Sequence, residues 1–314
     1  MTPLADNSGL TVTAAVIGLG SMGMGMALSM RRAGLDVVGY DITPAAVDRF
    51  VAEGGRGASS PADAAKNADI VVSVVVNGAQ TEAVLFGPHG IAATMKAGAV
   101  FISSATMDPA VARDLAGRAE TLGLHYLDAP ISGGAAKAAL GELTIMASGS
   151  RQAFDAARPG LDAMAGKVYE LGDAAGTGAA FKMINQLLAG VHIAAACEAI
   201  SFAAKQGLDL DKVYEVITAS AGNSWMFENR VPHVLTGDYT PLSSIEIFVK
   251  DLGIVQDMAR SERYPAPLAA AALQMYLAAA GAGMGRDDDS SLARLYAKLS
   301  GAELPGSNEK PQSL

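Results

Sequence analysis

The chain has 314 residues, half of them apolar and 18% charged, which suffices for a large core and excludes global disorder. Its net charge is −9 with no Lys/Arg-rich run, so the basic footprint of a nucleic-acid-binding protein is missing. Cys197 is the single cysteine; it excludes a disulfide framework within one chain and fits a reducing compartment.

The segment 1–7 lacks the basic-then-apolar order of a signal peptide, so a cytoplasmic location is expected. Residues 1–11 are polar or small and read as loose. Residues 12–17 are short and β-branched, as in a buried strand, and run straight into Gly18-Leu19-Gly20-Ser21-Met22-Gly23. Residues 24–33 read as a helix, with Gly34 just past its end. Residues 36–40 form a second apolar strand, closed by Asp41. The alternation continues with a helix at 45–53, strands at 70–76 and 99–103, and a helix at 109–121 capped by Asp108. Strands follow at 125–128 and 143–147. This order predicts an α/β fold: a Rossmann-type doubly wound parallel sheet with helices on both faces.

The pattern changes near Gly176. Residues 178–205 form one long apolar helical run, and helices are predicted at 210–220, 244–262, 266–280 and 290–300. No strand is expected after Leu171. The division is thus a Rossmann domain over 1–176, an all-α substrate and oligomerisation domain over 177–303, and a loose tail over 304–314. The stretch 266–283 is mostly alanine and is broken by Gln274, and it reads as a buried helix rather than a membrane span. The helical part is apolar on several faces, which predicts a homo-oligomer, dimer or tetramer.

A lone G-x-G-x-x-G is weak evidence in a glycine-rich chain, but here it follows a strand and opens a helix. Gly18 permits the turn, Gly20 lets backbone approach a pyrophosphate, and Gly23 allows close helix–strand packing. The pyrophosphate then meets the positive end of the helix. Asp41, 23 residues after Gly18, can accept both ribose hydroxyls and would repel a 2′-phosphate. Ile42, Thr43 and Pro44 add no positive charge, so NAD is favoured over NADP. Asp41 can equally cap the turn before Pro44, and the two roles are compatible.

Lys182 stands in the first turns of the long helical run, among Phe181, Ile184, Leu187, Leu188 and Val191. Burial would lower its pKa from the usual ~10.4 toward neutrality, as a general base requires. A lysine snorkelling at a helix end explains the same pattern equally well. Asn185 and Gln186 share its helical face, and either amide could hold a substrate hydroxyl. Asp128-Ala129-Pro130-Ile131-Ser132-Gly133-Gly134 is a strand end followed by a small-residue turn, where backbone N–H groups can bind an anion. Ser132 lacks a nucleophile-elbow context, so a hydrolase triad is rejected. His89, His125, His192 and His233 show no metal-ligand spacing, and no metal is expected.

Three segments in order carry a resemblance: IGLGSMGMGMA at 17–27, DAPISGG at 128–134 and GTGAAFK at 176–182. Over nearly the whole chain, the sequence resembles the β-hydroxyacid dehydrogenases, which include 3-hydroxyisobutyrate dehydrogenase, tartronate semialdehyde reductase and 6-phosphogluconate dehydrogenase. The resemblance implies NAD-dependent oxidation of a small hydroxy acid with Lys182 as acid/base. It implies that Ser132, Gly133 and Gly134 hold the substrate carboxylate. The implied cofactor contacts are Gly18, Leu19, Gly20, Ser21, Met22, Gly23, Asp41, Val76, Asn77, Thr106 and Lys250.

Read without the resemblance, Thr106 is a possible cap and Lys250 a solvated helix residue. Family members often carry the catalytic amide four residues after the lysine, which is Gln186 here, with Asn185 beside it. Asn77 stands where many members have proline. The segment Gly222-Asn223-Ser224-Trp225-Met226-Phe227-Glu228-Asn229-Arg230 looks like that of one subgroup, in which Asn223 and Arg230 could read a polyhydroxy acid. Trp225 and Phe227 could equally be core or interface anchors. Rival readings are another small hydroxy acid of the same family and, in a different class, a non-catalytic NAD-binding sensor.

Overall fold

The structure, a computed structural model, describes residues 12–306. The apolar segments of the first half form β1 (Thr13–Ile17), β2 (Asp36–Tyr40), β3 (Arg56–Gly57), β4 (Ile70–Ser73), β5 (Val100–Ser103) and β6 (His125–Asp128). All pair in parallel, in the order β3-β2-β1-β4-β5-β6. The chain runs outward from β1 to β3 and then returns to place β4 beside β1. That reversal creates the crevice at strand ends where ligands of open α/β sheets bind.

The helices of this half are α1 (Gly23–Arg32), α2 (Pro44–Ala52), α3 (Pro61–Ala65), α4 (Gly78–Phe86), α5 (Pro109–Thr121), α6 (Gly134–Leu140) and α7 (Arg151–Met164). Side chains alternate across the sheet. Val16, Val72, Ile102 and Leu127 join one core with Met26 and Leu161. Ile17, Val71, Phe101 and Tyr126 join another with Leu85 and Leu115. That alternation is the period of two expected of a sheet covered on both faces.

Two strand expectations change. β4 stops at Ser73 rather than at Val76, because Val76 N donates to Gln80 Oε1 at 2.8 Å and Asn77 caps α4. The strand at 143–147 leaves the main sheet. As β8 (Leu143–Ala147) it pairs antiparallel with β7 (Ile131–Ser132) and parallel with β9 (Ala165–Glu170). The sequence reading omits α7, whose internal Pro159 disguises it, although Ser150 caps it by accepting from Ala153 N at 3.2 Å.

Packing divides the chain into two compact units, with the boundary after Lys182. The second unit contains most of α8 (Thr177–Lys205), then α9 (Leu210–Thr218), α10 (Trp225–Thr236), α11 (Ile245–Ser261), α12 (Pro267–Ala279) and α13 (Leu292–Ser300). Its core gathers Ile193, Cys197, Ile200, Phe227, Phe248, Leu252 and Tyr276. Among the described residues no strand follows β9.

By length and composition, α8 and the stretch Pro267–Met284 could each cross a membrane. The late stretch is not the buried helix expected, since only 28% of it is buried and Leu268 stands exposed. Leu304 and Pro305, at the start of the expected tail over 304–314, make contacts with the second unit. Leu304 is buried and Pro305 O accepts from Tyr239 Oη at 3.1 Å, while 307–314 and 1–11 lie outside the described residues.

Candidate active site

The loop after β1 is fixed by contacts that exclude side chains. Gly18 has φ +98°, and a Cβ there would lie 2.4 Å from Val74 O. A Cβ on Gly23 would lie 1.9 Å from Gly18 O. Gly20 differs, because a Cβ there would meet nothing within 4 Å, so its open side can admit a ligand. Met22, the N-cap of α1, offers no side-chain hydrogen bond to the helix. The positive end of α1 therefore suits a pyrophosphate.

Asp41, at the end of β2, holds this loop. Its Oδ2 accepts from Leu19 N at 2.7 Å and its Oδ1 from Thr43 N at 2.8 Å. It caps its turn as the sequence allows, and each oxygen keeps a further lone pair for a ribose hydroxyl. Asn77 is the N-cap of α4, its Oδ1 accepting from Gln80 N at 2.9 Å, and Val76 beside it is exposed. Thr106 is half-buried between β5 and α5, and it is Asp108 that caps α5, accepting from Ala110 N at 2.6 Å. All these candidates follow the carboxyl ends of β1, β2, β4 and β5.

Ser132 closes β7, and Gly133 and Gly134 follow at φ +134° and +75°. Lys182 is only 8% exposed, and its ammonium donates to Ile131 O at 2.9 Å. Of the apolar helix neighbours, Phe181, Ile184 and Leu188 face outward, while Leu187 and Val191 are partly buried. The contact of its ammonium is with the segment after β6. The signal that finds this is the buried Asp128. Its Oδ2 accepts from Gly176 N at 2.9 Å and from Ala179 N at 2.8 Å, which brings the GTGAAFK start onto the DAPISGG segment.

In the second unit, Gln186 Nε2 donates to Asp251 Oδ2 at 2.5 Å. Asn185 Nδ2 donates to Gln186 Oε1 at 2.9 Å. A carboxylate only accepts, so Asp251 fixes which way the Gln186 amide faces, and Gln186 in turn fixes Asn185. Lys250 pairs with Asp251 Oδ1 at 2.7 Å rather than standing solvated. Sequence reasoning missed Asp251, yet it shares a helix face with the buried Phe248, Leu252 and Val255. A carboxylate on that face is a signal in its own right.

The 223–230 segment packs within the second unit. Arg230 is buried against Asp289, at 2.5 and 3.1 Å. Asn223 donates to Glu228 Oε1 at 2.5 Å and to Thr218 O at 3.1 Å. Phe227 is core and Trp225 is exposed.

Comparison with known proteins follows these two halves. Residues 13–172 match the NAD binding domain of 6-phosphogluconate dehydrogenase. Residues 176–296 match the NAD-binding model of NADP-dependent 3-hydroxyisobutyrate dehydrogenase. L-threonate dehydrogenase of Cupriavidus necator is 54% identical over 94% of this chain and 98% of its own length. L-threonate dehydrogenase of Escherichia coli K12 is 49% identical over 93% of this chain and 96% of its own. The crystal structure of 3-hydroxyisobutyrate dehydrogenase from Salmonella typhimurium superposes with a TM-score of 0.87 at 50% identity, covering 90% of this chain and 99% of that one.

Proposed function

The chain belongs to the 3-hydroxyisobutyrate dehydrogenase-like family, and from that premise we propose that it oxidises L-threonate to 2-dehydro-L-erythronate with NAD. It is an oxidoreductase acting on the CH–OH group of a small hydroxy acid with a nicotinamide dinucleotide. The observation that carries the mechanism is the buried Lys182, held at 2.9 Å by the Ile131 carbonyl.

Bound nicotinamide supplies the hydride acceptor. Lys182, in its neutral form, takes the proton of the substrate hydroxyl, and the donor carbon becomes a carbonyl. Ser132, Gly133 and Gly134 hold the substrate carboxylate through their turn. Gln186 has both sides of its amide engaged by Asp251 and Asn185, which leaves Asn185 as the amide that meets a substrate hydroxyl. Lys250, anchored by Asp251, is proposed as a cofactor contact, and so, in the first unit, are Val76, Asn77 and Thr106. The Asp41 carboxylate and the absence of a cation at 42–44 favour NAD over NADP.

L-threonate rests on the names of relatives 49–54% identical to this chain. The Salmonella structure favours a second reading, 3-hydroxyisobutyrate. Exposed Ile184, Leu188, Phe202 and Leu268 on the helices support a homo-oligomer.

The test mixes purified protein and NAD with L-threonate, D-threonate, 3-hydroxyisobutyrate, D-glycerate and 6-phosphogluconate, and follows NADH. L-threonate is expected to turn over fastest, and a preference for another acid overturns the substrate. Lys182→Ala is expected to lower kcat by about 10²–10⁴-fold with NAD binding kept. Near-native turnover would refute the lysine as base.

A further inference from the structure

We infer that Asp128 is a positioning residue for this reaction: its buried carboxylate locks the start of α8 onto the segment after β6 and so sets where Lys182 is held. The inference rests on the reading of Lys182 as the base. Asp128 is fully buried at the end of β6, and its backbone is fixed on both sides. Asp128 N donates to Ser148 O at 3.0 Å, and Ser148 N returns a bond to Asp128 O at 2.8 Å. On the sheet it stands in register with Ser103 of β5. This backbone cannot shift without disturbing the sheet.

The side chain reaches from that fixed point to the next motif. Oδ2 accepts from Gly176 N and Ala179 N, at 2.9 and 2.8 Å. Ser148 Oγ donates to Oδ2 at 3.3 Å and accepts from Gly178 N at 2.9 Å. Two buried side chains thus answer three N–H groups at the start of the helix, where backbone donors otherwise go unmet. One turn further along the helix from Ala179, Lys182 donates to Ile131 O, three residues beyond Asp128. The two segments are joined at two points, and the lysine is the second.

The arrangement carries a cost. Desolvation pushes the Asp128 carboxyl up, and the bonds from Ala179, Gly176 and Ser148 and the charge of Arg113 offset it only in part. Its Oδ1 is buried without a hydrogen-bond partner among the described residues. Close packing leaves the joint no slack, since a Cβ on Gly178 would lie 2.3 Å from Met146 O and 2.9 Å from Asp128 O.

The test compares Asp128→Asn, Asp128→Ala and Ser148→Ala in the full-length enzyme with NAD and its best hydroxy acid. Asn keeps an acceptor for the two N–H groups and Ala keeps none. Asp128→Ala is expected to lower kcat by about 100-fold with the substrate KM little changed, the scale on which a 1 Å misplacement acts. Asp128→Asn is expected to restore most of that loss, and Ser148→Ala to lose about tenfold, an intermediate effect on the same scale.

In both Asp128→Ala and Ser148→Ala the acid limb of the kcat/KM pH profile is expected to move, because the lysine has left its carbonyl. A scaffold role alone would reduce the folded fraction and leave that profile in place, and this result overturns the inference. So does wild-type kcat in Ser148→Ala, which serves even where Asp128→Ala fails to fold. Failure of the base reading itself shows separately, as turnover in Lys182→Ala.

Discussion

The two units each bury a carboxylate completely, and they answer it differently. In the first unit Asp128 is met by the N–H groups of Gly176 and Ala179. In the second, Asp289 is met by the guanidinium of Arg230, with Nε at 2.5 Å and Nη2 at 3.1 Å. Desolvation is the main cause pushing both carboxyls up. The contrast teaches what each charge is for. A carboxylate answered by backbone ties two chain segments together at chosen atoms. A carboxylate answered by a long side chain fastens one element to another, here Asp289–Ser291 to α10, with no candidate site residue attached.

The largest effect that separates the two falls on stability. Arg230→Ala leaves Asp289 buried without its cationic partner, and removing one partner of a buried pair costs about 3–5 kcal/mol. The expected result is an unfolding free energy in urea lowered by that amount, with kcat per folded molecule unchanged. A fall in kcat without a fall in stability would place Arg230 in the site after all.

The next effect is in pH. Burial raises the Asp289 carboxyl from 3.8 to about 6, so its protonated form is favoured in the folded state. A raised carboxyl contributes stability below its unfolded pKa and loses it as pH climbs through the folded value. Between pH ~4 and ~6 this group's contribution should therefore fall by on the order of 3 kcal/mol. The difference in unfolding free energy between wild type and Asp289→Asn, measured across that window, checks it. A difference that stays flat, or that grows in wild type's favour as pH rises, refutes the assignment.

These carboxylates also mark where reading the sequence ran out. The parallel sheet was legible because residues 13–17, 36–40 and 125–128 are short apolar runs closed by glycine or aspartate. The glycine loop was legible because Gly18 and Gly23 occupy positions that admit no other residue. Lys182 stood out as a charge in an apolar helix. Its burial could not be assigned, because helical periodicity names the neighbours on the helix and not the segment that folds over them. Asp128 and Asp251 were overlooked for the same reason, since each is defined by a partner 48 to 65 residues away. The Arg230–Asp289 pair is likewise invisible in sequence, because a lone arginine on a helix gives no sign of an aspartate 59 residues away.

A smaller pair of substitutions tests the two glycine-rich helix starts against each other. α1 begins uncapped beneath the open side of Gly20, while α8 begins on Asp128 and Ser148. Gly178→Ala should cost about 1–3 kcal/mol of stability through overpacking. It should lower kcat and leave NAD affinity intact. Gly20→Ala meets no protein atom within 4 Å, so stability should hold while NAD affinity drops by about tenfold through crowding of the pyrophosphate. If both variants lost NAD affinity equally, the two helix starts would be doing the same work and the distinction would fall.

The smallest effect is a control on capping itself. Ser150 caps α7 from a half-exposed position, accepting from Ala153 N at 3.2 Å. Ser150→Ala should cost about 1 kcal/mol, the usual value of such a cap. Neither kcat, KM nor the pH profile should move. Ser148→Ala removes the same hydroxyl two residues earlier in the chain, but there the hydroxyl is bound to the start of α8. If positioning is what Asp128 and Ser148 do, the two serine variants will differ in their pH profiles even if their melting temperatures agree. If the profiles also agree, the start of α8 is an ordinary cap.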